Sequence, residues 1–135
     1  MAILTDINLW HLIRHLGRWL SNLQRAGDER KASSIMALRA VVIAARHTQT
    51  YVRQLADTAK QDHRTEAGLA TMWTELGFRL QDLSLEKLAK RCDINGRYWA
   101  DPARFDSDFL SKADVGLERM EKLARQLILE IETRQ

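Results

Sequence analysis

The sequence predicts an all-α protein, a four-helix up-and-down bundle with a long, partly helical connection between helices 3 and 4. Apolar residues recur every three or four positions along most of the chain, as they do on one face of a helix. β-Branched residues are few and fall on these same faces, so they give almost no indication of strands. Two short polar breaks and one long one separate the apolar stretches, and residues 1–135 are expected to form one domain.

The first predicted helix runs from about Asp6 to Arg25. Gly27 follows it in a short turn and is typical of a helix end, so the first two helices should be antiparallel neighbours. Its buried face is expected to carry Leu9, Leu12, Ile13, Leu16, Trp19, Leu20 and Leu23.

The second predicted helix is the longest, from Asp28 as N-cap to about Lys60, without an internal Gly or Pro. It carries two apolar strips, so we expect it to be buried on several sides, with the other helices packed around it. The first strip is Leu38, Val41, Val42, Ala45, Thr48, Val52, Leu55 and Ala59, and the second is Met36, Ala40, Ile43, Ala44 and Tyr51.

The third predicted helix runs from Thr65, its expected N-cap, to about Gln81. Gly77 lies one helical turn from Trp73, where it is either the mark of a close helix crossing or a weak point in the helix.

The connection that follows is the least regular part of the chain. Residues 84–92 predict a short helix, and the Asn-Gly pair within 93–96 predicts a turn. Asp101 before Pro102 is the pattern of another helical start. A last helix is expected after Ser111, with a capping box at its first turn.

Composition is that of an ordinary soluble protein, with 45% hydrophobic and 29% charged residues. One cysteine excludes a disulfide framework and a multi-cysteine zinc site. Several charged residues interrupt the first twenty positions, which therefore predict neither a secretory signal nor a membrane span. We expect a cytoplasmic protein with no membrane partner.

Positive charge is concentrated in residues 1–60, which hold nine Lys and Arg against four Asp and Glu. Four of these cations recur every seven residues on the long helix and should form one basic stripe. It is either a surface for phosphates, nucleic acid or an acidic partner, or a solvated face on which Asp57 pairs with Arg53. The candidate basic surface is Arg39, Arg46, Arg53, Lys60, Arg14 and Arg18.

Tryptophan and tyrosine provide two further candidates. Tyr, Trp and Arg are common anchors of interfaces, so the connection between Gly96 and Pro102 is either an interaction loop or a hydrophobic plug on the bundle. Its residues are Arg97, Tyr98, Trp99 and Asp101. Trp10 and Trp19 lie on opposite sides of the first helix, so one of them is expected to be exposed as a candidate interface.

We find no catalytic motif, no metal motif and no indication of a cofactor. His11 and His15 have the i, i+4 spacing of a metal pair, but without an HExxH motif they are more typical of a polar surface. The spacing of Glu66, Glu75 and Asp82 is that of a solvated helix face.

The sequence therefore favours a non-enzymatic helical interaction module. It is expected to be a homodimer or a subunit of a larger assembly, and whether it is also an enzyme stays open. The alternative is nucleic-acid or phosphate-ligand binding along the basic surface on the first two helices.

Overall fold

A computed structural model describes residues 16–105 and 108–134, with the backbone alone at 109–115. These residues form five α-helices and one 3-10 turn, and they contain no strand, which confirms the all-α prediction. None of the described helices is both long and apolar enough to cross a bilayer. The helices are α1 (Gly17–Ala26), α2 (Asp28–Thr58), α3 (His63–Asp82), α4 (Glu86–Ala100) and α5 (Phe109–Thr133), with the 3-10 turn at Pro102–Arg104.

The long second helix is present, and its ends differ slightly from those predicted. Gly27, with a φ of 97°, precedes the helix, and Asp28 is its first residue and not its N-cap. The carboxylates of Asp28 and Glu29 lie in the first turn, where the helix dipole favours negative charge. Ala59 takes a left-handed conformation with a φ of 56°, and its N–H donates to the carbonyl of Leu55, so the helix ends before Lys60.

The inner side of α2 is the centre of the core, between α3 and α5. The prediction that α2 is buried on several sides is wrong for its outer strip, because Met36 is 62% exposed and Ile43 is 65% exposed. Only Ala44 and Tyr51 of that strip are buried, and Tyr51 lies towards α3, where it contacts Glu66. The buried residues of α2 are Ser34, Ala37, Leu38, Val41, Ala44, Ala45, Thr48 and Tyr51.

A hydrogen bond inside the core joins α2 to α3. The indole of Trp73 is completely buried, and its Nε1–H donates to Thr48 Oγ1 at 2.8 Å. The Thr48 hydroxyl donates in turn to the carbonyl of Ala44 at 2.7 Å. Both polar groups are therefore satisfied, as buried polar groups need to be.

The cap of α3 is Asp62, three residues before the predicted cap Thr65. The Asp62 carboxylate accepts hydrogen bonds from the backbone N–H groups of Arg64 and Thr65 and from the Thr65 hydroxyl. These bonds stabilise the charged form and lower the pKa of Asp62, with the Thr65 hydroxyl as the largest cause.

Helix α4 is continuous over 15 residues, so the predicted turn at 93–96 is wrong. Gly96 lies against α3, where an added Cβ would clash with Thr74 Oγ1. Gly77 of α3 lies against α4 in the same way, since its added Cβ would be 3.3 Å from the carbonyl oxygen of Ala89. One glycine from each helix thus permits a close crossing, which resolves the role of Gly77.

Cys92 lies at this crossing. Its side chain is completely buried, with its Cβ 3.5 Å from the position of a Cβ added to Gly77. Burial away from water raises the pKa of the thiol to about 12. Cys92 therefore packs as a small apolar residue.

Helix α5 begins at Phe109, before the predicted start at Ser111, and packs against α2. The side chains of the predicted capping box lie outside the described ones. The buried face of α5 is Leu117, Met120, Leu123, Ala124, Leu127 and Ile131.

Helix α1 packs by one apolar face and one hydrogen bond. Leu20 and Leu23 are buried, and Trp19 Nε1–H donates to the carbonyl of Leu83 at 2.8 Å, just beyond the end of α3. The predicted part of this helix before Leu16 lies outside the described residues.

Substitution by alanine should have opposite effects on stability at Gly96, which lies in the helix crossing, and at Gly68, which faces open space. Gly96→Ala is expected to lower the free energy of unfolding, because overpacking costs about 1–3 kcal/mol and exceeds the helix-propensity gain of about 1 kcal/mol. Gly68→Ala, with no atom near its added Cβ, should raise that free energy by about 0.5–1 kcal/mol. Urea unfolding followed by circular dichroism measures both, and a stabilised Gly96→Ala protein would contradict the close crossing.

Candidate functional site

The outer face of α2 carries two exposed apolar side chains beside a groove, Met36 and Ile43. Met36 and Ile43 are seven residues apart and therefore lie on one side of the helix. Arg39 and Arg46 flank them on the α5 side, since Arg46 contacts Glu121 of that helix. Ala40 flanks them on the α3 side, where it lines a groove.

That groove separates α2 from α3 and consists of two adjoining cavities of about 470 and 510 Å³. They share Gly68 and Met72, so the groove is continuous along α3. An added Cβ at Gly68 would meet no atom within 4 Å, so the fold does not need a glycine there. The first cavity is lined by His47, Thr50, Tyr51, Gln54, Arg64 and Thr65, and the second by Ala40, Thr71, Glu75, Leu76 and Arg79.

A buried carboxylate lies beside the first cavity. Glu66 is only 3% exposed, so the prediction that it belongs to a solvated face is wrong. Tyr51 OH donates to Glu66 Oε2 at 2.8 Å, while the backbone N–H of Asp62 donates to the Tyr51 oxygen at 2.8 Å. His63 Nδ1 is 3.6 Å from Glu66 Oε1 on the solvent side.

This network fixes the end of α2 to the start of α3. The pKa values of two tyrosines near Glu66, Tyr51 and Tyr98, are raised. Burial, with Glu66 nearby, raises the pKa of Tyr51 to about 12. Burial and the charge of Glu66 also raise the pKa of Tyr98. Both phenols therefore lose their proton only at a higher pH than a free tyrosine, and Tyr51 donates its hydrogen bond to Glu66.

Sequence reasoning missed Glu66, although the chain carries a signal for it. Glu66, Trp73 and Leu80 follow one another at intervals of seven, so Glu66 continues the buried face of α3. A charged residue at a core position predicts a buried partner, and Tyr51 is that partner.

The members of the predicted basic surface occupy different environments. Arg39, Arg53, Lys60 and Arg18 are exposed. Arg46 makes a two-point ion pair with Glu121, with N–O distances of 3.0 and 3.2 Å, and this bond raises its pKa. Arg14 lies outside the described residues. The predicted alternative pair of Arg53 with Asp57 does not form.

The predicted interaction loop is not a loop. Arg97, Tyr98 and Trp99 belong to the last turns of α4, and Asp101 is the residue after its end. Tyr98 and Trp99 are buried, and the Trp99 ring makes edge contacts with Tyr98 at 4.7 Å and with Tyr51 at 5.5 Å. These two aromatics therefore pack the core, as the alternative interpretation expected.

The two tryptophans predicted as an interface cannot be compared with each other. Trp19 is half-buried and bonded to Leu83, so its indole N–H is used within the chain. Trp10 lies outside the described residues, as do His11 and His15.

Within the described ranges, no three His, Cys, Asp or Glu side chains are grouped to hold a metal ion. No protein family model, curated protein or solved structure matches this chain. The α2–α3 side offers the apolar side chains of Met36 and Ile43, with charged groups on both edges. Such a surface is suited to binding another macromolecule.

Removing the buried carboxylate should destabilise the fold. Glu66→Ala removes the acceptor that lies 2.8 Å from the Tyr51 phenol and leaves it only the Asp62 carbonyl at 3.4 Å. We expect a loss of about 1–3 kcal/mol in unfolding free energy. Glu66→Gln keeps an acceptor and should lose less. Glu75 is exposed on the same helix. The unfolding free energy of Glu75→Ala should therefore stay within about 0.5 kcal/mol of the wild-type value. Equal losses in Glu66→Ala and Glu75→Ala, measured by chemical unfolding, would contradict the network.

The raised phenol pKa predicts a loss of stability in alkali. An unfolded tyrosine has a pKa of 10.0 and Tyr51 about 12 in the fold, so the unfolded chain releases this proton first as the pH rises. The unfolding free energy should therefore fall from about pH 10 to about pH 12. Tyr51→Phe should make this fall shallower, while Cys92 and Tyr98 still contribute in the same direction.

Proposed function

We propose that this protein is a non-enzymatic helical interaction module that self-associates through the face formed by α2 and α3. The observation that carries the proposal is the exposure of Met36 and Ile43, at 62% and 65%, on one side of the longest helix. An exposed apolar patch bordered by polar residues is typical of an interaction site.

The energetics favour a reversible dimer of moderate affinity. Two copies contribute four such side chains, and burying them gains roughly 4–8 kcal/mol. Association itself costs an estimated 4 kcal/mol or more in lost freedom of motion. The groove between α2 and α3 must therefore contribute contacts too, and we expect a dissociation constant on the order of micromolar.

The available area agrees with this estimate. Helices of 31 and 20 residues lying side by side offer roughly 750 Å² of outer surface. A specific interface of standard size buries about 800 Å² on each partner. A second copy laid along this face would thus nearly fill it.

We further propose a four-helix up-and-down bundle built from α2 to α5, with α1 packed at one end. This differs from the predicted bundle, in which the first helix was a member and the segment that forms α4 was part of the long connection. Extensive contacts between α3 and α4 and between α2 and α5, with further contacts between α2 and α3, support this arrangement. The connection between α4 and α5 would then contain the 3-10 turn at Pro102–Arg104.

The alternative is that the basic surface binds nucleic acid or a phosphate ligand. It is favoured by the exposure of Arg39 and Arg53, neither of which forms an ion pair with a described residue. The ion pair of Arg46 with Glu121 interrupts the stripe between them, so we rank this function second.

Self-association should depend on the α2 patch. Ile43→Glu places a charge in the proposed interface and is expected to give a monomer by size-exclusion chromatography with light scattering at 100 μM, a concentration on the order of a hundred times the expected dissociation constant. Phe78→Glu is the matched control, since Phe78 is 64% exposed on the α3–α4 side, and it should stay dimeric. Circular dichroism checks that both variants keep their helix content.

A wild-type protein that stays monomeric up to millimolar concentration would overturn the proposal. Dimers that respond to Phe78→Glu and not to Ile43→Glu would move the interface to the other side of the molecule.

The alternative predicts a different dependence on salt. If the basic surface binds nucleic acid, the affinity for a labelled 20-nucleotide RNA should fall steeply between 50 and 200 mM salt. Arg53→Glu should weaken that binding further, whereas Lys87→Glu on α4 should have no effect. Undetectable binding at 50 mM salt in an anisotropy titration would remove this alternative.

A further inference from the structure

We propose that the seam between α4 and α5 is a binding site for a phosphate group, which the guanidinium groups of Arg91 and Arg119 hold. The site shares no residue with the α2–α3 face or with the basic surface on the first two helices. The proposal is therefore independent of self-association and of nucleic-acid binding, and its test can fail without affecting either.

Arg91 and Arg119 lie on the sides of α4 and α5 that face each other. Asn95 follows Arg91 by one helical turn, and its Nδ2 lies 3.9 Å from the sulfur of Met120 on α5. Met120 is buried, and Glu121, which follows it, contacts α2. Successive residues of a helix are about 100° apart, so Arg119 projects away from the side of Glu121 and towards α4.

The seam leaves room for long side chains. Among the described residues, the backbones of α4 and α5 approach each other much less than those of α3 and α4. Arg91 and Arg119 are both half-buried, and the Nε atom of Arg119 is shielded from solvent. The two guanidinium groups are thus partly removed from water, which makes their positive charge costly.

The surroundings of Arg91 disfavour its charge. Burial and, next, the like charge of Arg119 lower the pKa of the Arg91 guanidinium. Arg91 belongs to none of the ion pairs among the described residues. The ion-paired carboxylates of α4 and α5 have other partners, namely Asp93 with Arg97, Glu118 with Lys122, Glu121 with Arg46 and Arg125, and Glu130 with Arg134.

A bound anion would offset both effects at once. Charges removed from water in proteins are normally paired with an opposite charge, and an anion in the seam would attract Arg91 and reduce its repulsion from Arg119. The planar guanidinium group donates two parallel hydrogen bonds, a geometry that matches the oxygens of phosphate. Phosphate also carries more than one negative charge at neutral pH, so it neutralises two arginines better than a carboxylate does.

Titration of the full chain with inorganic phosphate tests the site. Binding is followed by calorimetry at an ionic strength held constant with sodium chloride, and we expect a dissociation constant on the order of 1 mM. At about ten times that concentration, phosphate should raise the thermal midpoint of unfolding by about 5 °C more than chloride does. An equal response to the two salts would overturn the proposal.

Arg91→Met distinguishes a ligand site from a structural role. Methionine keeps an apolar stem and removes the charge, so phosphate binding should be lost. In phosphate-free buffer the variant should unfold at the wild-type temperature or above it, because the charge removed has no opposite partner among the described residues. A variant that still binds phosphate would overturn the site.

The matched control is Arg97→Met on the same helix. Arg97 is exposed and forms an ion pair with Asp93, so its replacement should leave the phosphate affinity at the wild-type value. Loss of binding in this control as well would indicate a general effect of positive charge and would contradict a site at Arg91.

Two further variants test the guanidinium pair. Arg119→Gln should weaken phosphate binding at least about tenfold, and Arg91→Lys should weaken it about threefold or more, because lysine keeps the charge but lacks the two-point geometry. Circular dichroism checks that both keep their helix content. Wild-type affinity in Arg119→Gln would overturn the two-arginine site.

Other anions identify the class of ligand. Acetate should bind about tenfold more weakly than phosphate, and equal binding would overturn the choice of phosphate over a carboxylate. Glycerol 3-phosphate distinguishes the two sources of a phosphate group. Tighter binding than inorganic phosphate supports a phosphate ester as the ligand, and weaker binding supports free phosphate.

Discussion

The burial of Trp73 is the constraint on which the rest of the packing depends. Its indole is completely buried, and its N–H finds an acceptor only if Thr48 faces it from α2. This requirement fixes the height of α3 relative to α2. Tyr51 and Glu66 then meet, one turn further along α2 and two turns back along α3. Helix α3 also presents Gly77 to α4 for the close crossing.

Helical periodicity predicted the all-α fold and most of the helices, because apolar spacing depends only on neighbours in sequence. It failed at residues 93–96, where the local preference of Asn95-Gly96 for a turn is outweighed by packing. Gly96 is needed for contact with Thr74, which lies on another helix. Such contacts between distant residues leave no local pattern.

At the candidate site, too, local patterns were predictable from the sequence and contacts between distant residues were not. The spacing of Met36 and Ile43 predicted an apolar strip, but whether a strip is covered depends on how many helices surround it. The stripe of cations was visible in the sequence, whereas the partner of Arg46 is Glu121, 75 positions away. Only Glu66 carried a signal that could have been used, because its interval to Trp73 places it on a buried face.

The buried thiol of Cys92 can be used to measure how often α3 and α4 separate. Its thiol is shielded by the contact of α3 with α4 and is held in the unreactive protonated form by a pKa of about 12. A thiol reagent can therefore modify it only when these two helices separate. The rate of modification in native buffer measures how often that separation occurs.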